Sequence, residues 1–215
     1  MLYVSGFPVG MLQANCYILY DSDSGDAAVI DPGDEGERII QTVENLNVQP
    51  RLLLNTHGHG DHIGANKRIK DAFSVPLAIH RDDASMLTDA VENLSARFDV
   101  TILSPPADLL LDDGSEIDFA GRKIRALHTP GHSPGGCCLH VENHLFTGDA
   151  LFKMTIGRTD VPGGSHEQLM RGIFEKILTL PDDTILYPGH GPLSTVGEER
   201  RNNYYILSFA EYYYS

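Results

Sequence analysis

The sequence is short of several things, and each shortage excludes a class of protein. Cysteine occurs three times in 215 residues, as Cys16, Cys137 and Cys138. The count is odd, and a strand would turn the adjacent pair to opposite faces, so no disulfide framework is implied. No stretch of about eighteen uninterrupted apolar residues occurs, and the opening MLYVSGFPVG has neither a basic n-region nor an apolar h-region. A soluble protein in a reducing, cytoplasmic setting is expected, with no membrane partner. Basic residues are few: sixteen Lys and Arg face thirty Asp and Glu, for a formal charge of −14. Such a surface repels phosphate backbones and anionic headgroups, so nucleic acid is not an expected partner. Repeats, linkers and low-complexity tracts are also missing. With 21% charged and 41% apolar residues, the chain has the profile of a folded protein, and its length is within reach of one core. Residues 1–215 are therefore expected to form a single domain.

The residues that are present begin with alternation of strands and helices. LQANCYILYD (12–21) and DAAVIDPG (26–33) are β-branched and aromatic runs around the turn DSDSG, which reads as a hairpin. EGERIIQTVENLN (35–47) places Ile39, Ile40, Val43 and Leu46 at helical spacing. RLLLNTH (51–57) and PLAIH (76–80) read as strands buried on both faces, with one helix, DHIGANKRIKDAF (61–73), between them. DDASMLTDAVENLSARF is compatible with a helix, which Pro105 and Pro106 would end, so 99–107 reads as a surface connection. SEIDFAGRKIRALHT, GGCCLHVENHLFTGD and TILYPGH are strand-like; a helix is expected at about 165–179 and another over TVGEERRNNYYILSFAEY. The class is α/β.

The chemistry concentrates in Thr56-His57-Gly58-His59-Gly60-Asp61-His62, where three imidazoles and a carboxylate follow a buried strand and precede a helix. His57 and His59 can address one point only from a strand end or a turn; on a helix they would diverge. Asp61 and His62 can face a neighbouring point, and Gly58 and Gly60 free the backbone to turn. The spacing suits two metals better than one. Three further signals stand at strand ends, where open sheets collect functional groups: His132 in TPGHSPGG, Asp149 in FTGD and His190 in PGHG. Each alone would read as an ordinary turn residue. Together with the first cluster they make seven metal-ligand candidates.

The pattern His57-x-His59-x-Asp61-His62, then His132, Asp149 and His190, resembles the metallo-β-lactamase superfamily over nearly the whole chain. The resemblance implies an αββα four-layer sandwich, two mixed β-sheets flanked by helices. It implies His57, His59 and His132 on one metal, Asp61, His62 and His190 on a second, Asp149 bridging, and Asp31 close behind. TPGHSPGG, FTGDALF, IGRTDVPGG and PGHGP resemble the short glyoxalase II-like hydrolases, the hydroxyacylglutathione hydrolases, more than true β-lactamases, which lack the bridging Asp149.

That resemblance implies a dinuclear metal-dependent hydrolase acting on a small-molecule substrate. Two divalent ions about 3.5 to 4 Å apart would share a bridging hydroxide that attacks a thioester such as S-lactoylglutathione, with Asp61 and Asp149 as the catalytic carboxylates. Zinc is the first choice, and iron and manganese suit the same donors. Long-form glyoxalase II supplies glutathione contacts from a C-terminal helical domain; this sequence runs to Ser215 with no Lys or Arg after Arg201. Lys153 and Arg158 are then the nearest cations for an anionic substrate, with an Arg158–Asp160 contact in the site wall as the structural alternative. The rivals are a mononuclear iron persulfide dioxygenase, a lactonase and, last, a non-catalytic metal-binding domain. His80, His128, His140, His144 and His166 carry no motif, the cysteines read as buried structural thiols, and the tyrosine-rich tail reads as packing or dimer contact. A monomer or a homodimer is expected.

Overall fold

The computed structural model describes residues 1–213, and the side chains of 211–213 lie outside the description. The tail tyrosines Tyr212 and Tyr213 as side chains, and Tyr214 altogether, are therefore outside the described part. The first sheet runs β1 (Leu2–Val9), β2 (Ala14–Asp21), β3 (Asp26–Ile30), β4 (Gln49–Leu54), β5 (Leu77–His80) and β6 (Leu109–Leu111), adjacent in that order. β1–β2–β3 pair antiparallel and β3–β4–β5–β6 parallel, because helical crossovers separate the later strands. Those crossovers carry α1 (Gly36–Leu46), α2 (Gly60–Ile63) and α3 (Asn66–Phe73).

The second sheet holds β7 (Glu116–Phe119), β8 (Arg122–His128), β9 (Cys137–Val141) and β10 (His144–Gly148) as an antiparallel meander. A small hairpin, β11 (Leu151–Phe152) with β12 (Thr155–Ile156), and α4 (His166–Gly172) intervene. β13 (Ile185–Pro188) then pairs parallel to β10, and β14 (Ser194–Thr195) closes the edge before α5 (Val196–Asn202) and α6 (Tyr204–Tyr213). Both sheets are mixed.

Three apolar interfaces make four layers. Between the sheets lie Tyr17, Leu19, Ile30, Leu54, Leu139, Phe146 and Tyr187; under α1 and α3 lie Ile18, Val29, Ile39, Val43 and Ile69; under α4 and α5 lie Leu145, Leu169, Ile173, Leu186 and Val196. Strand alternation explains the partition: Cys137 faces the other sheet and Cys138 the helices. All three cysteines are free and buried. Polar bonds also cross between sheets, among them Tyr17 Oη donating to the Pro188 carbonyl at 2.7 Å and Cys137 N to the Thr56 carbonyl at 2.9 Å. This is the αββα sandwich expected of the sequence.

Four helices differ from expectation. The single helix over 61–73 is two, because Ala65 leaves helical dihedrals (φ −99°, ψ 3°) and gives its N–H to the Pro32 carbonyl. The run from 82 forms two 3₁₀ segments, Arg81–Thr88 and Ser95–Phe98, between which buried Asn93 donates to the Met86 and Ile102 carbonyls. α4 continues as a π-turn over Ile173–Ile177. The C-terminal helix breaks at Asn203, whose Oδ1 accepts the Tyr205 N–H and whose amide donates to Glu199 Oε2 and the Thr155 carbonyl. In three of these places a tertiary hydrogen bond outcompetes local helical periodicity.

Candidate metal centre

The loop after β4 and the turns after β8, β10 and β13 meet at one edge of the sandwich. His57, His59 and His132 bring their ligand nitrogens within 4.8 Å of one another. Their rings stand nearly perpendicular in every pair, at 80° to 87°, so the nitrogens converge while the rings do not stack. Asp61, His62 and His190 form a second group with the same closeness. His190 Nε2 lies 3.3 Å from Asp61 Oδ2, and His62 Nε2 lies 3.7 Å from the same oxygen.

Asp149 stands between the groups. Its Oδ1 is 3.5 Å from His62 Nε2, and its Oδ2 is 3.4 Å from His132 Nε2 and 3.6 Å from His190 Nε2. The structure thus brings all seven candidate ligands to one place.

The histidines are aimed by hydrogen bonds on their far sides. His62 Nδ1 donates to Asp31 Oδ2 at 3.1 Å, and Asp31 also accepts the Thr56 N–H and hydroxyl at 2.8 and 2.6 Å. His132 Nδ1 donates to the Arg158 carbonyl at 2.9 Å. In both rings Nε2 faces the site, that of His132 lying 2.9 Å from His59 Nδ1, the arrangement by which outer partners orient metal-ligating imidazoles. The His190 turn is held by Asn15, whose amide donates to the carbonyls of Pro188 and Gly191 at 3.0 and 2.9 Å while its own N–H donates to the Gly189 carbonyl. Gly189 itself tolerates no side chain, since a Cβ there would lie 2.1 Å from Asp149 Oδ1.

Electrostatics divide the site in two. Burial drives His57 well below the ordinary histidine value, and burial together with the neighbouring His132 pushes His59 down to about 3. Those rings are neutral bases, the form that binds a metal. Burial disfavours charge on His62 too, but Asp61, Asp149 and the Asp31 hydrogen bond outweigh it and raise His62 to about 10. His190 is raised against its burial by Asp61 and Asp149. Asp61 is likewise held, against its burial, below the usual carboxylate range by His62 and His190. This half of the site favours positive charge.

The donors fit divalent ions on a further count. Among the described residues, three buried side-chain polar atoms lack a hydrogen-bond partner: His57 Nε2, His62 Nε2 and Asp149 Oδ1. Buried orphans are costly and rare, and three in one site are explained by cations that they address, with His57 in one donor group, His62 in the other and Asp149 between them. The set of imidazole and carboxylate donors suits zinc, iron or manganese.

The two expected substrate cations sit differently. Lys153 Nζ pairs with Glu198 at 3.1 Å. Arg158 forms a two-pronged pair with Asp160 at 2.8 and 2.9 Å, on the surface and not buried in the site wall. The Arg158 contribution to the centre is its backbone carbonyl. Asn15 and Asp83 also support the site, and no motif in the sequence signals either. Nor does a motif mark His80 and His128, which the fold stacks face to face at 3.9 Å and 12°, beside Asp82. Parallel rings send their lone pairs along parallel lines, a geometry for stacking and not for sharing one ion.

A sequence model of the Metallo-beta-lactamase superfamily matches residues 9–190. The chain belongs to that superfamily. Among metallo-beta-lactamase superfamily proteins it is 39% identical to the hydroxyacylglutathione hydrolase GloC of Haemophilus influenzae, over 94% of this chain and 96% of that one. It is similar to BLEG-1, described as a B3 metallo-beta-lactamase, with a TM-score of 0.91, 39% identity and coverage of 95% and 99%. It is also similar to TTHA1623, solved in a di-iron-bound form, with a TM-score of 0.82, 31% identity and coverage of 94% and 99%. The identity to BLEG-1 equals that to the GloC relative, at 39%. Among the described residues no helix is long and apolar enough to cross a membrane.

Proposed function

We propose that this chain is a dinuclear metal-dependent hydrolase of thioesters, with S-lactoylglutathione as the first substrate to test. The observation that carries the reading is Asp149, whose carboxylate faces both donor groups: Oδ2 lies between His132 of the first and His190 of the second, and Oδ1 lies beside His62 of the second. A carboxylate so placed can serve two ions, with His57, His59 and His132 about one and Asp61, His62 and His190 about the other. When bound, paired divalent ions make a nucleophile of water at neutral pH, polarise a carbonyl and stabilise a leaving thiolate. The chain's own residues orient and charge the site: Asp31 and the Arg158 carbonyl set the tautomers of His62 and His132, and Asp61 and Asp149 supply the negative field. No side-chain nucleophile is needed, and none is offered by the thiols, since burial pushes Cys138 up to about 12 and Cys137 well above its usual value. The name of the GloC relative supports the thioester class. Lys153 and Arg158 are both ion-paired, which separates the thioester chemistry from a firm grip on glutathione carboxylates.

The test pairs metal analysis with S-lactoylglutathione hydrolysis followed by free-thiol release. About two ions per chain, zinc in the first instance, and steady thiol release are expected. One iron per chain with oxygen uptake on a persulfide, and no thiol release, overturns the reading. The likeness to BLEG-1 supports β-lactam hydrolysis as a second reading. A chromogenic cephalosporin turned over faster than the thioester selects it.

A further inference from the structure

A buried carboxylate outside the seven candidate ligands ties two of the ligand loops together. Asp83 lies in the 3₁₀ segment that follows β5, and it is fully buried. Its Oδ2 accepts the Gly58 N–H at 3.0 Å and the Ser133 hydroxyl at 2.7 Å, and its Oδ1 accepts the Gly135 N–H at 2.5 Å. Gly58 separates His57 from His59, and Ser133 follows His132. One side chain therefore bonds residues adjacent to every histidine of the first donor group, and bridges from the first sheet's loop to the second sheet's turn.

The arrangement is specific. A carboxylate offers acceptors only, and three donors with no competing acceptor are what it can satisfy. Gly135 leaves room for the approach, since a Cβ there would fall 2.6 Å from Asp83 N and 2.8 Å from its Cγ. No such contact of Asp83 reaches Asp61, His62 or His190, whose positions rest on Asp31 and Asn15. Asp31 serves both groups, through His62 in the second and through Thr56 beside His57 in the first, whereas Asp83 contacts the first group's loops alone.

The geometry points to Asp83 as a positioning residue that sets the mutual placement of His57, His59 and His132, and so the affinity of that group for its ion, independently of the Asp61–His62–His190 group. This rests on the reading that each group holds one ion. In Asp83→Asn the amide nitrogen must face at least one donor, so the bridge loosens with little change in volume. Ser133→Ala removes one of three bonds and leaves both backbone bonds intact.

Zinc titration against a competing chelator tests it, with His59→Ala and His190→Ala marking which binding step belongs to which group. Asp83→Asn is expected to weaken the first group's step by between about 10- and 100-fold, as loss of outer support does at metal sites. Ser133→Ala should weaken the same step by less, and the second group's step should stay within about twofold in both. Unchanged affinities in both variants overturn the inference, and so does equal weakening of the two steps, which would mark Asp83 as a general fold contact. If Asp83→Asn does not fold, Ser133→Ala decides alone by the same criteria. Wild-type protein that binds no zinc, iron or manganese would defeat the underlying metal reading instead, a result distinct from either.

Discussion

Asp149 and His132 approach within 3.4 Å through Oδ2, while the other oxygen of the same carboxylate stands 3.5 Å from His62. The single side chain links residues far apart in sequence into one charged centre. Asp149→Ala is expected to lose one ion per chain and at least about a hundredfold in kcat/KM, a larger effect than removing outer partners has. Metal analysis beside thioester kinetics checks both. Retention of two ions with full turnover would refute the dinuclear site.

Gly189→Ala probes the same contact from the other side. A methyl 2.1 Å from Asp149 Oδ1 and 2.8 Å from His62 Cε1 cannot be accommodated without moving a donor. The overpacking should cost about 1 to 3 kcal/mol in denaturant unfolding and lower metal content. A variant with unaltered midpoint and metal content would show that the turn yields freely.

Asn15 holds the His190 turn through two carbonyls. Asn15→Ala removes one donor from the Pro188 carbonyl, which keeps Tyr17 Oη, and one from the exposed Gly191 carbonyl, at about 0.5 to 1.5 kcal/mol of stability per bond. Its functional effect should fall on the Asp61–His62–His190 group alone, seen as weakening of that metal-binding step with the other unchanged.

Arg158 acts on His132 through its carbonyl, which any residue supplies. Arg158→Ala should therefore leave metal content intact and hold kcat/KM within about threefold, because its exposed side chain is already paired and such pairs contribute little. A large rise in KM with kcat preserved would instead make the guanidinium a substrate contact.

The His80–His128 stack predicts a pH effect on stability. Burial, then the adjacent His128 ring, hold His80 below its ordinary value, while Asp82 and Asp112 pull it upward and Arg81 lowers it further. The unfolded chain thus takes up this proton first, so stability falls as pH drops through about 6.5 and the loss ends only below the lowered folded value. The difference between wild type and His80→Gln in unfolding midpoint should grow from about pH 7.5 to about pH 5.5, with the wild type losing more. Parallel curves would rule out His80 as the source.

Much of this protein was legible in order along the chain. The hairpin over 12–33, the helix of Gly36–Leu46 and the buried strands ending at Leu54 and His80 are set by apolar period and turn residues, which are local properties. The cluster from His57 to His62 declares itself because no structural need puts three imidazoles and a carboxylate into so short a run. Elsewhere local signals misled: Ala65 and Asn203 sit in helical patterns, and tertiary hydrogen bonds break them.

The sequence by itself determined the α/β class, the family pattern and the seven candidate donors. Only the tertiary structure decided that Asp149 lies between two groups, that Lys153 and Arg158 are neutralised by Glu198 and Asp160, and that Asp83 and Asn15 support the ligand loops. The physical reason is range. Periodicity and turn chemistry act over a few residues, whereas a hydrogen bond from Ser133 to Asp83 or from Asn15 to Gly191 exists only once two sheets have packed.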